Sequence, residues 1–178
     1  MIKVLDLFSG IGGFAVASEL ISGFETVAFC EINPYCRQIL NLRYPEIPVF
    51  EDVRTITAQS LRDAGIVNID AVFGGFPCQD ISNAGNQEGL LGDRSSLFFE
   101  IIRIVRFLQP RLIVLENVSA LLVRGMERVL WELAQSGYDA QWSTVSCAEV
   151  GGCHRRDRIW IIASPNHLRK WESEREFA

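Results

Sequence analysis

Cys78 stands directly behind Pro77 in the stretch Gly74-Gly75-Phe76-Pro77-Cys78-Gln79-Asp80-Ile81-Ser82, which follows the apolar run Ile69-Asp70-Ala71-Val72-Phe73. A short β-rich run that ends in two glycines reads as a buried strand releasing into a tight loop. Proline fixes its own φ and biases the residue before it toward extended backbone, so Phe76 and Pro77 limit where the Cys78 sulfur can point. That is a way to present a thiol nucleophile. A free cysteine is more often a small buried hydrophobe, however, so the assignment depends on what else the chain brings to this loop.

Other groups could do chemistry with it. Asp6 precedes the glycine turn Ser9-Gly10-Ile11-Gly12-Gly13, Glu31 lies about twenty residues beyond Gly10, Asp52 follows a short apolar run, and Glu116-Asn117 follows another. A strand, a glycine turn and a helix form a nucleotide-type cradle, and a carboxylate at the distance of Glu31 suits a ribose hydroxyl. The turn lacks the third glycine of the dinucleotide spacing, and Asp52 can accept from an adenine amino group. Together these favour S-adenosylmethionine over NAD. The basic run His154-Arg155-Arg156-Asp157-Arg158 reads, by charge count alone, as a solvated turn.

The elements that must position these groups alternate in type. Strands are expected over 2–8, 24–31, 48–50, 69–73, 112–115, 138–147 and 159–163, and helices over 14–22, 34–43, 58–64, from a cap at Ser95 or Ser96 through the apolar positions 97–108, and over about 126–135. Asn33-Pro34 gives the second helix an N-cap and a proline at its first position, and Pro110 stops the fourth helix. Strands alternating with helices imply right-handed crossovers and a mostly parallel, doubly wound, Rossmann-like α/β sheet. The last two strands have no helix between them and should pair antiparallel at one edge. In such a sheet ligands lie at the carboxyl ends of the strands, where Asp6, Glu31, Asp52, Cys78 and Glu116 all fall. Residues 1–164 read as one catalytic and cofactor-binding domain and 165–178 as a polar tail or the start of a linker.

Composition narrows the class. The chain has 178 residues, 48% hydrophobic and 22% charged, with a formal net charge of -5. That is enough for one sizeable core, and it argues against holding nucleic acid by a global basic field. Five cysteines without a CxxC pair suggest neither a disulfide framework nor a zinc site, so no metal is expected and a reducing cytoplasm fits. No signal peptide or membrane span is apparent.

Asp6-Leu-Phe-Ser-Gly-Ile-Gly-Gly-Phe14, Gly75-Phe-Pro-Cys-Gln79, Gly92-Asp-Arg-Ser-Ser-Leu-Phe98, Glu116-Asn-Val118 and Arg156-Asp-Arg158 follow one another as in the cytosine carbon-5 DNA methyltransferases. The resemblance covers about residues 2–164. It implies an S-adenosylmethionine-dependent methyltransferase fold in which Phe8, Gly10 and Gly12 line the cofactor pocket, Glu31 meets the ribose and Asp52 the adenine, with Ile32, Pro77 and Leu97 as apolar walls. It further implies that Cys78 is the nucleophile, Glu116 holds the cytosine edge, and Arg156 and Arg158 lie near the flipped base and its sugar-phosphate. The implied partner is double-stranded DNA with one cytosine rotated out.

Two departures accompany the resemblance. The family usually has proline and glutamine just before its paired arginines, where this chain has Cys153 and His154. Family members also continue into a target-recognition domain and a final motif that completes the cofactor pocket. The expectation is therefore a catalytic half: one subunit of a split enzyme whose second polypeptide carries the recognition domain, a truncated gene, or an inactive remnant. A tRNA cytosine carbon-5 methyltransferase shares most of these motifs, and a module that binds cofactor or a partner without chemistry is the alternative from a different class.

Overall fold

The computed structural model describes residues 1–77 and 96–166. In chain order these form β1 (Ile2–Leu7), α1 (Gly13–Ile21), β2 (Phe24–Cys30), α2 (Pro34–Arg43), β3 (Val49–Phe50), a 3-10 turn (Val53–Thr55), α3 (Ala58–Asp63), β4 (Ala71–Gly75) and α4 (Ser96–Leu108). There follow β5 (Leu112–Val118), α5 (Leu121–Arg124), α6 (Met126–Gln135), β6 (Tyr138–Ser146), a second 3-10 turn (Ala148–Val150) and β7 (Asp157–Pro165).

The seven strands make one sheet in the order β3-β2-β1-β4-β5-β7-β6. From β1 the chain steps outward to β2 and β3, then returns to lay β4 on the other side of β1, and all these pairs are parallel. The reversal beside β1 opens a crevice above the carboxyl ends of β1 and β4. β7 runs antiparallel to both β5 and β6. The final hairpin therefore closes one edge, with the reversed strand one place in from it. Because β7 is reversed, its first residues reach the rim where β5 ends.

Strand alternation sends Leu5 and Leu7 of β1 to the face carrying Phe98, Ile101, Val129 and Leu133, in the main core with α4 and α6. Val4 turns the other way with Phe73 and Phe14, while Phe29, Ala15 and Leu40 pack under α1 and α2. Both faces of the central strands are thus covered, which is why these strands read as nearly unbroken apolar runs. None of the described helices is long and apolar enough to cross a membrane.

Some boundaries move for physical reasons. Gly74 and Gly75 belong to β4 and continue its ladder, opposite Leu115 and Glu116 of β5. A Cβ at Gly74 would stand 3.3 Å from the Leu7 carbonyl oxygen, so glycine lets the strand pass close to its neighbour. β5 and β7 are longer than their apolar stretches because each continues the other's pairing, from Ile113↔Ala163 to Val118↔Arg158. The single turn α5 has no apolar period long enough to announce it.

Candidate active site

The glycine turn after β1 is bound to the end of β2. Ser9 N–H donates to the Cys30 carbonyl at 3.1 Å, and its hydroxyl donates to the Asp6 carbonyl at 2.7 Å. Phe8 takes a left-handed φ of 56°, which for a residue with a side chain costs on the order of 1–3 kcal/mol and is kept where the surrounding bonds enforce it. Gly12, at φ 91°, permits α1 to begin against α2: a Cβ there would meet Leu40 and Tyr44 at 3.1 and 3.2 Å.

Glu31 joins two loops. Its Oε2 accepts from the Gly10 N–H and its Oε1 from the Asn33 N–H, both at 2.8 Å. Asn33 in turn caps α2 by accepting from Tyr35 N–H. Arg37 of α2 donates to the carbonyl oxygens of Glu31 and Ile32, at 3.2 and 2.6 Å, and pairs with Glu51 at 3.1 Å. Ile32 is left 65% exposed at the rim, an apolar surface with no internal partner to cover it.

Asp52 begins the first 3-10 turn and accepts from the Arg54 backbone N–H at 3.0 Å. The Arg54 guanidinium closes on the same carboxylate, the shortest contact being Nη2 to Oδ2 at 2.6 Å. Side-chain hydrogen bonds from Arg54, then its backbone N–H, hold the Asp52 carboxyl below its ordinary range. Behind these loops Cys30 is pushed up to about 12 by burial and then by Asp52, Glu31 and Asp6, so this thiol stays protonated. Three carboxylates thus surround the ends of the first strands.

Asp6 is wholly buried, and among the described residues neither carboxylate oxygen has a hydrogen-bond partner. Burial, and secondarily the charge on Glu31, raises its pKa well above the ordinary 3.8. Folding therefore favours the protonated form: the contribution of Asp6 to stability is complete below pH 3.8 and is lost as pH climbs from there toward the raised native value. Asp6→Asn, which imitates the neutral acid, should melt at a higher temperature than the parent chain at neutral pH. In acid below that ordinary value the difference should vanish. Melting curves across pH check both arms, and an unchanged difference at every pH would contradict the linkage.

At the other side of the crevice, Arg158 Nε meets Glu116 Oε1 at 2.6 Å, with both side chains about three-quarters buried. The pair exists because Val118↔Arg158 and Glu116↔Trp160 are in register, so Glu116 and Arg158 share one face near the rim. Gly75 is opposite Glu116, and a Cβ there would be 3.1 Å from Oε2. Gly75→Ala should displace a carboxylate already tied to Arg158 and slow a reaction that uses this carboxylate about tenfold, since small misplacements cost heavily in catalysis, while the melting temperature changes little. Single-turnover kinetics beside a melting curve would show the split.

Cys78 lies outside the described residues, but the backbone leading to it is held. Phe76 is 3% exposed, its ring 5.3 Å from that of Phe98, and Asn117 Nδ2 donates to the Phe76 carbonyl at 3.3 Å. Pro77 and Leu97 are both half-buried, on either side of the segment that is not described, with Leu97 packed against the main core. Arg156 is not drawn into the Glu116 pair. It lines, with Val145, Cys147, Val150, Arg158 and Trp160, an open cavity of about 460 Å³. The Arg156 carbonyl accepts from Cys147 N–H at 3.3 Å, which joins the two ends of the loop containing Cys153 and His154.

Sequence reading missed Asn117 as the support of the Phe76 carbonyl, although its place beside Glu116 at an inward position of an alternating strand was a usable signal. It missed the closeness of Gly75 to Glu116 entirely.

Residues 2–177 match the sequence model of the C-5 cytosine-specific DNA methylases. The chain belongs to that family. Among curated relatives it is 33% identical to the Type II methyltransferase M.AquIA of Picosynechococcus sp., over 91% of this chain and 71% of that one. It is 34% identical to the Type II methyltransferase M.NgoBI of Neisseria gonorrhoeae, over 94% of this chain and 52% of the relative. Among solved structures, Dnmt2 methyltransferase of S. pombe superposes with a TM-score of 0.76 at 25% identity, over 93% of this chain and 51% of that one. This C-5 cytosine methylase chain thus spans about half the length of two of these relatives and 71% of the third.

Proposed function

We propose that this chain transfers a methyl group from S-adenosylmethionine to carbon 5 of cytosine in DNA through a covalent adduct at Cys78. The observation that carries the reading is the Glu116–Arg158 pair, on the strands next to β4, whose chain continues to Pro77. Family membership supports it.

The cofactor site fits its ligand by charge. Glu31 and Asp52, carboxylates just past the ends of β2 and β3, oppose a pyrophosphate and suit a molecule carrying an ammonium and a sulfonium. When bound, S-adenosylmethionine supplies an electrophilic methyl group. Glu31 would accept from the ribose hydroxyls through the lone pairs its backbone donors leave free, Asp52 would accept from the adenine amino group, and Phe8, Gly10, Gly12, Ile32, Pro77 and Leu97 would enclose the rest.

Carbon 5 of cytosine is too weak a nucleophile unaided. The Cys78 thiolate would add to carbon 6 and make the ring an enamine, whose carbon 5 takes the methyl group as the sulfonium carbon–sulfur bond breaks and S-adenosylhomocysteine leaves. Glu116 holds a proton at ring nitrogen 3 and accepts from the exocyclic amine, while Arg158, with Arg156 beside it, offsets charge on the carbonyl side. The carbon 5 proton then leaves and the thiolate is expelled. A duplex does not expose these atoms, so the base is rotated out into the pocket.

Residues 1–164 are the catalytic unit in this reading. With a net charge of -5, specific hold on duplex DNA would come from a recognition domain on a second polypeptide or elsewhere in a longer protein. The test is transfer of labelled methyl to duplex DNA and to tRNA under single-turnover conditions, beside calorimetry with S-adenosylhomocysteine and NAD. Label in DNA supports the proposal. Label in tRNA alone moves the substrate to RNA, and cofactor binding without transfer to either leaves a binding module.

A further inference from the structure

Arg103 of α4 crosses to a distant part of the chain. Its Nη1 donates to the Ile56 carbonyl at 2.7 Å, and its Nη2 to the Val53 carbonyl at 3.0 Å and the Arg54 carbonyl at 3.5 Å. Nε pairs with Glu100 one turn back at 2.6 Å. Those carbonyls run from the first residue of the 3-10 turn that Asp52 begins to Ile56, which ends it, so the turn is capped by Asp52 at its start and held by Arg103 along its length. Glu100 also acts electrostatically on Arg54, the residue that grips the Asp52 carboxylate. Asp52, Arg54, Glu100 and Arg103 form one charged network between the turn and α4.

We propose that Arg103 is a positioning residue for the adenine end of the cofactor pocket, holding the Asp52 turn at a fixed distance from Leu97. The inference rests on the reading above, in which Asp52 and Leu97 flank the adenosine. Leu97 stands near the start of α4, six positions before Arg103. The two sides of that pocket otherwise belong to segments far apart in sequence, and Arg103 joins them through fixed directions of a planar guanidinium. Lysine offers a point charge on a shorter reach and cannot serve three carbonyls and a carboxylate together.

Arg103→Met keeps much of the apolar stem and removes the donors. Amide hydrogen exchange without ligand should quicken at Thr55 and Ile56, whose N–H groups bond within the turn, and stay unchanged at Val72 and Ile113 in the sheet centre. Affinity for S-adenosylhomocysteine and for adenosine should fall together by about tenfold, the scale of one charged hydrogen-bond set. Ile104→Val, a buried change on the same helix, controls for lost stability and should leave both affinities intact. Arg103→Lys should fall between, and it keeps the test open if the methionine variant fails to fold. Unaltered exchange at Thr55 and Ile56, or affinities no weaker than those of Ile104→Val, overturns the role of Arg103. A parent chain that binds neither adenosine ligand overturns the pocket reading instead, and the positioning role with it.

Discussion

Cys78→Ser is expected to abolish methyl transfer to DNA and covalent trapping on 5-fluorocytosine DNA, while affinity for S-adenosylhomocysteine stays largely intact. The substitution is nearly isosteric. Its chemistry changes wholly, because the attacking species is a thiolate, and an ordinary thiol titrates near ~8.5 while a serine hydroxyl gives no useful anion at neutral pH. The backbone before it is held by the burial of Phe76 and the bond from Asn117, neither of which involves the side chain at 78. The proposed cofactor contacts at Glu31 and Asp52 lie just past the ends of β2 and β3. A gel shift on fluorinated DNA reads the adduct, and calorimetry reads the cofactor. Undiminished transfer by the serine variant would sink the covalent mechanism.

The parallel sheet could be read from the chain because its central strands are apolar runs and several helices carry a stop or cap, as with Asn33-Pro34 and Pro110. Those signals are local. The position of Arg158 against Glu116 is not, since it depends on β7 entering between β5 and β6, a pairing across more than forty residues that no window of sequence contains. For the same reason the glycines at 74 and 75 read as a loop. Their need for a missing Cβ arises from Leu7 and Glu116 in neighbouring strands. Glu31 was legible as a carboxylate at the right interval, but its work in tying Gly10 to Asn33 follows from the approach of two loops. Arg103 carried no signal for this role: its ion pair with Glu100 is local, but the carbonyls it holds stand 47 to 50 residues away and every residue type supplies them.

Glu116→Gln is expected to lower the methyl-transfer rate by about 10²–10³, the usual cost of removing one group aimed at transition-state charge, without weakening S-adenosylhomocysteine binding. Glutamine fills the same volume and can still touch the cytosine edge, but it is neutral and cannot favour a proton on ring nitrogen 3. It also gives up the ion pair that holds Arg158 at 2.6 Å, so the arginine loses its fixed direction along with the carboxylate. The two residues should therefore behave as a unit. Arg158→Ala should slow transfer by itself, and Glu116→Gln with Arg158→Ala should be only slightly slower than Glu116→Gln alone, well short of the product of the single effects. Single-turnover rates of the four proteins in this cycle decide it. Strictly multiplicative losses would show that Glu116 and Arg158 act on the base independently, and that the contact between them does not organise the site.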